Sequence, residues 1–328
     1  MEVHVNTYGT SLKIRDGLLR IRNEKEEVNV PLGKIKTVTL RRGIYISSDV
    51  LYQCIEYGID VILTERSGFP VGRLWNNKFG SLSTVRKQQV EFSKSEEVIP
   101  WVVANIKEKV ENQKELLLIF FSLDEPHEQL IRTTNDEMSR ITDRLDLCVD
   151  RESKEAIGRI RALEGQCAKK YFACINQHLP NRYQFSKRTR RPAQDITNSM
   201  LNYCYGILYG HIESALINAG LDPYIGFFHR DEYNRPVLTY DVIEPFRPWS
   251  DWVVINICMN EVIEESFFDI SDGGYWLLSD GRQILIQHFT DFFEEVIEYK
   301  GLRYSRFTHI TKRAQELVKL LKKTIQDE

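Results

Sequence analysis

The chain has 328 residues, 42% hydrophobic and 28% charged, with a formal net charge of −3. This composition is typical of a globular protein and excludes a disordered or fibrous chain, and the charge excludes a uniformly basic nucleic-acid coat. No apolar run approaches the roughly 18 residues of a membrane span, the first residues lack the apolar core of a signal peptide, and the cysteines form no CxxC pair. We therefore expect a reduced, soluble, cytoplasmic protein without a membrane partner, and the length favours two domains.

Residues 1–92 predict a small, mostly β domain. Short alternating runs such as Ser11–Ile14 and Leu18–Ile21 are separated by turn residues, as in strands joined by tight connections. Asp16-Gly17 between these two runs is a strong hairpin signal. A short helix is predicted over Ser48–Tyr57, because its apolar residues share one side and Gly58 follows it.

Residues 93–100 change in composition and predict a linker, and residues 101–328 predict a larger, all-helical catalytic domain. Apolar residues recur there at spacings of three and four, which is the helical pattern. The predicted helices are Val102–Phe121, Ile157–Phe172, Ile196–Ala219 closed by Gly220, Phe289–Val296 and Thr311–Lys323. The predicted fold class is α+β, with a small N-terminal mostly-β domain followed by a larger all-helical C-terminal domain.

The distribution of charge and the absence of several known motifs limit the kinds of catalytic site that the sequence supports. Lys187–Arg191 holds four cations in five residues, and Lys300–Lys323 is also basic, whereas Glu261–Glu298 is acidic. Each basic run is either a solvated face or a surface that tracks phosphates. The chain lacks a phosphate-binding P-loop, a dinucleotide fingerprint, HExxH and a GxSxG nucleophile elbow. Carboxylates and imidazoles from separated segments remain as the candidates.

Asp241 and Glu244 are a candidate carboxylate pair, preceded along the chain by His229 after two aromatic residues. Their spacing of three places both carboxylates on one face if the segment is helical. Two carboxylates in an apolar segment repel each other and resist burial, so they need a cation. Either Arg247 as a local ion pair or a bound divalent metal satisfies this need, and the pattern leaves both open.

Glu164 is a further candidate on the flank of a predicted helix. It is followed by Gly165, which in a helix interior costs roughly 1 kcal/mol relative to Ala. Such a glycine indicates close approach of another backbone or of a ligand. An exposed Glu164 paired with Arg161 or Lys169 is the simpler explanation of this residue.

Four segments together resemble the CRISPR-associated spacer-acquisition integrases, the metal-dependent endonuclease/integrase subunit of CRISPR adaptation. They are Arg161–Gly165 with Tyr171-Phe172, Asn198–Gly206, Gly220–His229 and Asp241–Pro248. The β region, including Ile46–Ser48 and Gly58–Val61, is similar as well, so the likeness covers nearly the whole chain. Ala193-Gln194 replaces a usual Pro-Pro pair and Asn202 replaces a usual Ser. These departures lie beside the expected metal ligands and bear on local loop geometry.

The resemblance implies the site and the reaction. By matching motifs, the metal ligands are Glu164, His229 and Glu244, with Asp241 as a further catalytic residue. Carboxylates suit Mg²⁺, and one imidazole shifts the preference toward Mn²⁺. The implied enzyme serves antiviral defence by inserting new spacers into a CRISPR array, through attack of a donor 3′-hydroxyl on a repeat phosphodiester. One alternative is a non-integrating metal-dependent nuclease for branched DNA or RNA. Another is a non-catalytic nucleic-acid scaffold in which the acidic pair only binds Arg247.

Such a site holds DNA only if cations line the approach to it. The candidate DNA-binding residues are Arg161, Lys169, Lys187, Arg188, Arg190, Arg191, Arg230, Arg235 and Arg247. Tyr171, Tyr183 and Tyr233 are candidates for stacking on frayed DNA ends, or else core residues. The resemblance also implies a homodimer paired through the β domains. The further partners that it implies are a small subunit of the adaptation complex, spacer-precursor DNA and the CRISPR repeat and leader.

Overall fold

The structure is a computed structural model that describes residues 1–74, 82–121, 125–149, 153–229 and 235–323. In these ranges the strands are β1 (Glu2–Val5), β2 (Ser11–Arg15), β3 (Leu18–Arg22), β4 (Glu27–Pro31), β5 (Thr37–Leu40), β6 (Tyr45–Ile46), β7 (Asp60–Thr64), β8 (Pro70–Arg73), β9 (Phe268–Ser271), β10 (Gly274–Leu277), β11 (Val296–Tyr299) and β12 (Leu302–Ser305). The helices are α1 (Ser48–Glu56), α2 (Leu82–Phe92), α3 (Val98–Phe121), α4 (Glu125–Asp143), α5 (Ser153–His178), α6 (Ile196–Ala219), α7 (Val237–Ile243), α8 (Arg247–Met259), α9 (Ser279–Glu294) and α10 (Arg306–Lys323).

The first eight strands form two sheets in the described part of the N-terminal region, in the orders β1-β5-β7-β8 and β4-β3-β2-β6. Leu12, Leu19 and Val38 are buried in the core of this domain. The predicted hairpin at Asp16-Gly17 is confirmed, because β2 and β3 pair in antiparallel fashion on either side of it. Both turn residues have positive φ, 51° and 74°, as a two-residue hairpin turn requires.

Helices α2 to α10 surround a second, larger core. Residues 82–92 were expected in the β domain, yet they form α2, and its Val85 and Phe92 pack into this larger core. Helix α3 begins at Val98, inside the segment expected as a linker at 93–100. The packing therefore groups α2 and the start of α3 with the helical domain.

The expectation of an all-helical C-terminal domain is wrong. That domain contains two antiparallel hairpins, β9–β10 and β11–β12. Their turns are Asp272-Gly273 and Lys300-Gly301, in which all four residues have positive φ. Asp272-Gly273 is the same type of turn dipeptide as Asp16-Gly17, so the β9–β10 hairpin could have been predicted from the sequence. The fold is an N-terminal β domain followed by a mainly helical domain with two small hairpins.

Helix α6 connects the two domains. It has the predicted bounds and ends at Gly220, whose φ of 93° is the left-handed value of a typical C-terminal cap. From α6, Glu213 accepts a hydrogen bond from Arg73 of β8 at 2.8 Å. A Cβ at Gly206 would lie 2.7 Å from the carbonyl carbon of Gly68, so only glycine allows this close approach of helix and β7–β8 turn.

No helix in the described ranges is both long enough and apolar enough to cross a membrane. The six cysteines, all within those ranges, are free and buried. Burial raises the pKa of the Cys204 thiol well above its usual value, so this side chain is a protonated, apolar part of the core.

Candidate active site

One large cavity collects most of the predicted site residues. It has a volume of about 1770 Å³ and lies between α3, α5, α6 and the segments that flank α7. The predicted residues that line it are Arg161, Glu164, Lys169, Lys187, Arg188, Arg190, Arg191, His229, Arg235, Glu244 and Arg247. Asp241 is fully buried behind His229. Arg230 and Tyr233 lie outside the described residues.

Glu164 and Glu244 meet although α5 and the turn after α7 are remote in sequence. Both bind the ammonium group of Lys109 on α3: Nζ lies 2.5 Å from Glu164 Oε1 and 2.5 Å from Glu244 Oε2. The two carboxylate oxygens therefore lie within about 5 Å of each other. Arg161 and Lys169 were the expected partners of Glu164. The ion pair with α3 is instead made by Lys109.

Lys109 was not among the predicted site residues. Its side chain is only 7% exposed, which is rare for lysine unless the charge is paired. It lies three residues after Ile106 and one before Val110, on the apolar stripe of α3. A lysine on the buried face of an amphipathic helix is therefore the signal from which it could have been found.

The buried charges at Glu244 compensate one another. Its Oε1 accepts a hydrogen bond from Nε of Arg247 at 2.9 Å, while Oε2 faces Lys109. Burial by itself raises the pKa of Glu244, but the charges of Arg247 and Lys109 outweigh burial and lower this pKa from 4.5 to about 2. For Lys109, burial lowers the pKa and the charges of both carboxylates more than reverse this, so its pKa is raised. Glu244 is thus held as a carboxylate and Lys109 as an ammonium.

Asp241 organises the segment that carries His229. Its Oδ2 accepts the backbone N–H groups of Phe227 and Phe228 at 2.6 and 3.0 Å. Its Oδ1 accepts the backbone N–H of His229 at 2.9 Å and faces His229 Nδ1 at 2.7 Å. With Nδ1 donating to Asp241, the lone pair of the imidazole is on Nε2. The side chain of His229 is 35% exposed, so the ring borders the cavity.

The basic segment Lys187–Arg191 is attached to the start of α6. Arg188 donates to Oδ1 of Asn198 and, at 3.1 Å, to Oδ1 of Asn202. Asn202 also donates to the carbonyls of Thr189 and Arg190, at 3.0 and 2.8 Å. Position 202 is one of the two departures noted in the sequence, and its amide makes three contacts with this segment. A serine hydroxyl is too short to repeat all three.

Arg188 and Arg247 both face the ring of Tyr205. The guanidinium carbons lie 5.6 and 4.9 Å from the ring centroid, within the range of cation–π contacts. The Tyr205 hydroxyl donates to Asp251 Oδ1 at 2.5 Å, and Tyr171 donates to Oδ2 at 3.0 Å. Burial raises the pKa of Asp251 from 3.8 to about 6, although these hydrogen bonds and Arg188 act in the opposite direction.

The burial of two tyrosines and the surroundings of Gly165 answer two questions that the sequence leaves open. Tyr171 and Tyr183 are fully buried in the core, so neither can stack on a DNA end. A Cβ at Gly165 would meet no heavy atom of another part of the described structure within 4 Å, so no other backbone approaches it closely. The space beside Gly165 is open instead.

The donor set fits a divalent cation in its chemistry. Glu164 and Glu244 supply carboxylate oxygens, His229 supplies Nε2, and a side-chain cation already lies between the two carboxylates. Hard divalent ions prefer such oxygen donors. In the described ranges no three His, Cys, Asp or Glu side chains converge closely enough to enclose a metal ion. Both carboxylates face Lys109, and His229 faces Asp241 with Nδ1. The site has the donors, and Lys109 occupies the position between two of them.

Comparison with known proteins decides the family. A sequence profile described as CRISPR associated protein Cas1 matches residues 3–291. The chain belongs to the Cas1 family. The resemblance predicted from the motifs is confirmed. A CRISPR-associated endonuclease Cas1 of Rhodospirillum rubrum is 30% identical over 289 residues, 85% of this chain and 81% of that protein. A Cas1 endonuclease of Thermus thermophilus is 28% identical over 320 residues, 97% of this chain and 95% of that protein.

Solved structures share the Cas1 fold. A CAS1 protein from Thermotoga maritima superposes with a TM-score of 0.83 at 19% identity, covering 98% of this chain and 97% of that one. A casposase bound to its integration product gives a TM-score of 0.82 at 20% identity, covering 98% and 91%. A Cas6-RT-Cas1–Cas2 complex gives 0.81 at 19%, covering 99% of this chain and 35% of the matched one. At these identities the matches establish the fold, and the family assignment makes this chain a CRISPR-associated nuclease or integrase.

Proposed function

We propose that this chain is a divalent-metal-dependent DNA endonuclease and strand transferase. It inserts new spacers into a CRISPR array by attack of a donor 3′-hydroxyl on a phosphodiester of the repeat. The observation that carries the proposal is the meeting of Glu164 and Glu244 around one cation, in a cavity that His229 also lines. Two carboxylates that converge in this way, one buried and one partly buried, are typical ligands of a divalent ion.

Glu164, His229 and Glu244 would hold Mg²⁺ or Mn²⁺, which when bound supplies Lewis-acid stabilisation for phosphodiester transfer. Asp241 fixes the orientation of His229 and keeps the proton on Nδ1, so that Nε2 stays an acceptor. Arg247 balances the charge of Glu244 from the side opposite Lys109. Asp241 is then a positioning residue rather than a metal ligand.

DNA binding in the cavity is proposed for the basic residues that line it. Arg188 is partly buried, its hydrogen-bond partners Asn198 and Asn202 are uncharged, and it lines the cavity. A guanidinium held by neutral groups keeps its charge available for a phosphate. Arg161 is engaged with the carbonyl of Phe228 and packs over its ring, so it also braces the segment that carries His229.

We further propose that the protein works in the cytoplasm as a homodimer joined through the β domain. It would bind a small subunit of the adaptation complex, as the solved complex with Cas2 suggests for its own Cas1 chain. Exposed Tyr45 and Tyr52, on β6 and α1, support an interface on this domain. Light scattering should give the mass of a dimer for the full chain, and a smaller mass for Tyr52→Glu.

Strand transfer with two donors tests the proposed reaction. A donor duplex with 3′-hydroxyl ends should become joined to a repeat-containing target in Mn²⁺, whereas a 3′-dideoxy donor should not. EDTA should abolish joining, and Glu164→Ala should reduce it by about 100-fold or more. Glu155→Ala, at an exposed position of the same helix, is the matched control and should remain active.

The outcomes separate the alternatives. Cleavage of branched DNA or RNA in Mn²⁺ without any joining of the 3′-hydroxyl donor would identify a nuclease that does not integrate. Joining or cleavage that survives both EDTA and Glu164→Ala would contradict the proposed metal-dependent site. DNA binding without any turnover would identify a scaffold.

A further inference from the structure

Lys109 occupies the space that a metal bridging the two carboxylates would need. Its Nζ lies 2.5 Å from one oxygen of Glu164 and 2.5 Å from one oxygen of Glu244. Small divalent ions such as Mg²⁺ bind carboxylate oxygens at roughly 2.0–2.2 Å, so such an ion, if shared by the same two oxygens, would take nearly the same position as Nζ. The ammonium and the metal ion exclude each other there.

Both oxygens of Glu244 already face a cation. Oε2 binds Lys109 and Oε1 binds Arg247. Arg247 is also held by the Tyr209 hydroxyl at 2.6 Å and lies over the Tyr205 ring, whereas Lys109 has a flexible four-carbon stem. Lys109 is therefore the cation that is freer to move, and it is also the one that reaches Glu164.

We propose that Lys109 is a resident counter-ion of the metal site, on the basis of the metal ligands in the proposed function. In the metal-free protein its ammonium neutralises Glu164 and Glu244 and holds them together. Binding of a divalent ion displaces the ammonium toward the cavity that Lys109 lines. The metal affinity of the protein is then set by competition with this side chain.

Metal binding to Lys109→Met provides the first test. Calorimetric titration with MnCl₂ in the absence of DNA should give a dissociation constant about tenfold or more below that of the wild type, because a divalent ion no longer competes with a nearby positive charge. Lys107→Met is the matched control. Lys107 is on the same helix and pairs with Asp146 at 2.6 Å on the surface, so its loss should leave Mn²⁺ affinity unchanged.

Thermal unfolding gives a second readout. In EDTA, Lys109→Met should unfold roughly 5–10 °C below the wild type, because the buried Glu244 and the partly buried Glu164 lose a shared cation. Mn²⁺ should restore more of its melting temperature than it adds to the wild type. If Lys109→Met folds only with Mn²⁺, that result also supports the exchange of ammonium for metal.

Amine labelling of the wild type tests displacement without any mutation. Without metal, Lys109 is buried in its ion pairs and should acetylate slowly, whereas Lys107, whose side chain is 34% exposed, should acetylate faster. Saturating Mn²⁺ should raise the labelling of Lys109 by several fold and leave that of Lys107 unchanged, as measured by mass spectrometry.

Equal or weaker Mn²⁺ binding by Lys109→Met, or Lys109 labelling that does not respond to Mn²⁺, would overturn the counter-ion role. The proposed function would stand in that case if the wild type still binds Mn²⁺ and joins a 3′-hydroxyl donor. If neither the wild type nor Lys109→Met binds Mn²⁺, the metal site itself fails and both proposals fall.

Discussion

The Nδ1 atom of His229 lies 2.7 Å from Oδ1 of Asp241, and the same oxygen accepts the backbone N–H of His229 at 2.9 Å. Asp241 thereby holds both the ring and the backbone of His229. We expect Asp241→Asn to lower the free energy of unfolding by about 2–4 kcal/mol, because an amide NH₂ would face N–H donors in a buried site. Urea unfolding measures this loss, and strand transfer should fall with it.

The matched control for Asp241 is Asp222→Asn at the start of the same segment. Asp222 is only partly buried, and its side chain accepts the backbone N–H of Tyr224 at 3.0 Å. A change within about 0.5 kcal/mol is expected there. If Asp241→Asn were as stable and as active as the wild type, Asp241 would have no role in orienting His229.

The pH dependence of stability should reveal Asp251. The pKa of Asp251 is raised to about 6 in the folded protein, against 3.8 as the usual value, so between these pH values the folded state keeps a proton that the unfolded state has lost. The stabilisation from Asp251 is therefore complete below pH 3.8 and decreases as pH rises to about 6, by about 3 kcal/mol in total.

Urea midpoints of the wild type and Asp251→Asn, compared across this pH range, check the sign and the size of the effect. The advantage of the wild type over the variant should shrink as pH rises. Contributions from other carboxyl groups cancel in the difference between the two proteins. A difference that does not vary with pH would show that Asp251 titrates alike in the folded and unfolded states.

Salt dependence should identify Arg188 as a phosphate contact. Each phosphate neutralised by a protein cation contributes about 0.9 to the slope of log K against log salt concentration for duplex DNA. Arg188→Gln should therefore reduce the slope by about one. Arg182→Gln is the control, because Arg182 is exposed, pairs with Glu261 and lies outside the cavity lining. An unchanged slope for Arg188→Gln would remove Arg188 from the DNA-binding surface.

The open space beside Gly165 makes an alanine substitution informative. We expect Gly165→Ala to raise the free energy of unfolding by up to about 1 kcal/mol, because a Cβ there meets no other part of the described structure and alanine is the better helix former. Gly158 on the same helix is equally open, so Gly158→Ala should stabilise by a similar amount. Loss of DNA binding by Gly165→Ala alone would show that a ligand uses the space. Destabilisation by Gly165→Ala would mean that the helix is strained at this position.

The site residues that lie within motifs could be located from the sequence, whereas the contacts between remote segments could not. Glu164, His229 and Glu244 were predicted by motif matching, and the structure places all three on one cavity. Lys109 reaches two of them from a third helix, and no spacing along the chain encodes that approach. The local pairing of Glu244 with Arg247, three residues apart, was accessible because a helical spacing brings the two together.

In the fold, too, elements with a local signal could be predicted from the sequence, and features that depend on distant contacts could not. Helix α6 could be bounded because Gly220 ends a long apolar pattern, and the Asp16-Gly17 hairpin because its turn dipeptide is distinctive. The hairpin at Lys300-Gly301 lies between helices and consists of short, exposed strands, so its alternation is weak. The grouping of α2 with the helical core depends on contacts with distant segments, which the local sequence does not specify.

Helix α6 spans 24 residues, about 36 Å, and is attached to different structures near its two ends. Near the start of α6, Asn198 and Asn202 form hydrogen bonds with the basic segment 187–191. Nearer its end, Glu213 accepts a hydrogen bond from Arg73 of the β domain. The basic segment also touches the β domain directly, because Arg191 lies 4.6 Å from the centroid of the Phe69 ring and 3.6 Å from Glu65. The position of the cavity's arginines is therefore tied to that of the β domain by two routes, through α6 and through Arg191.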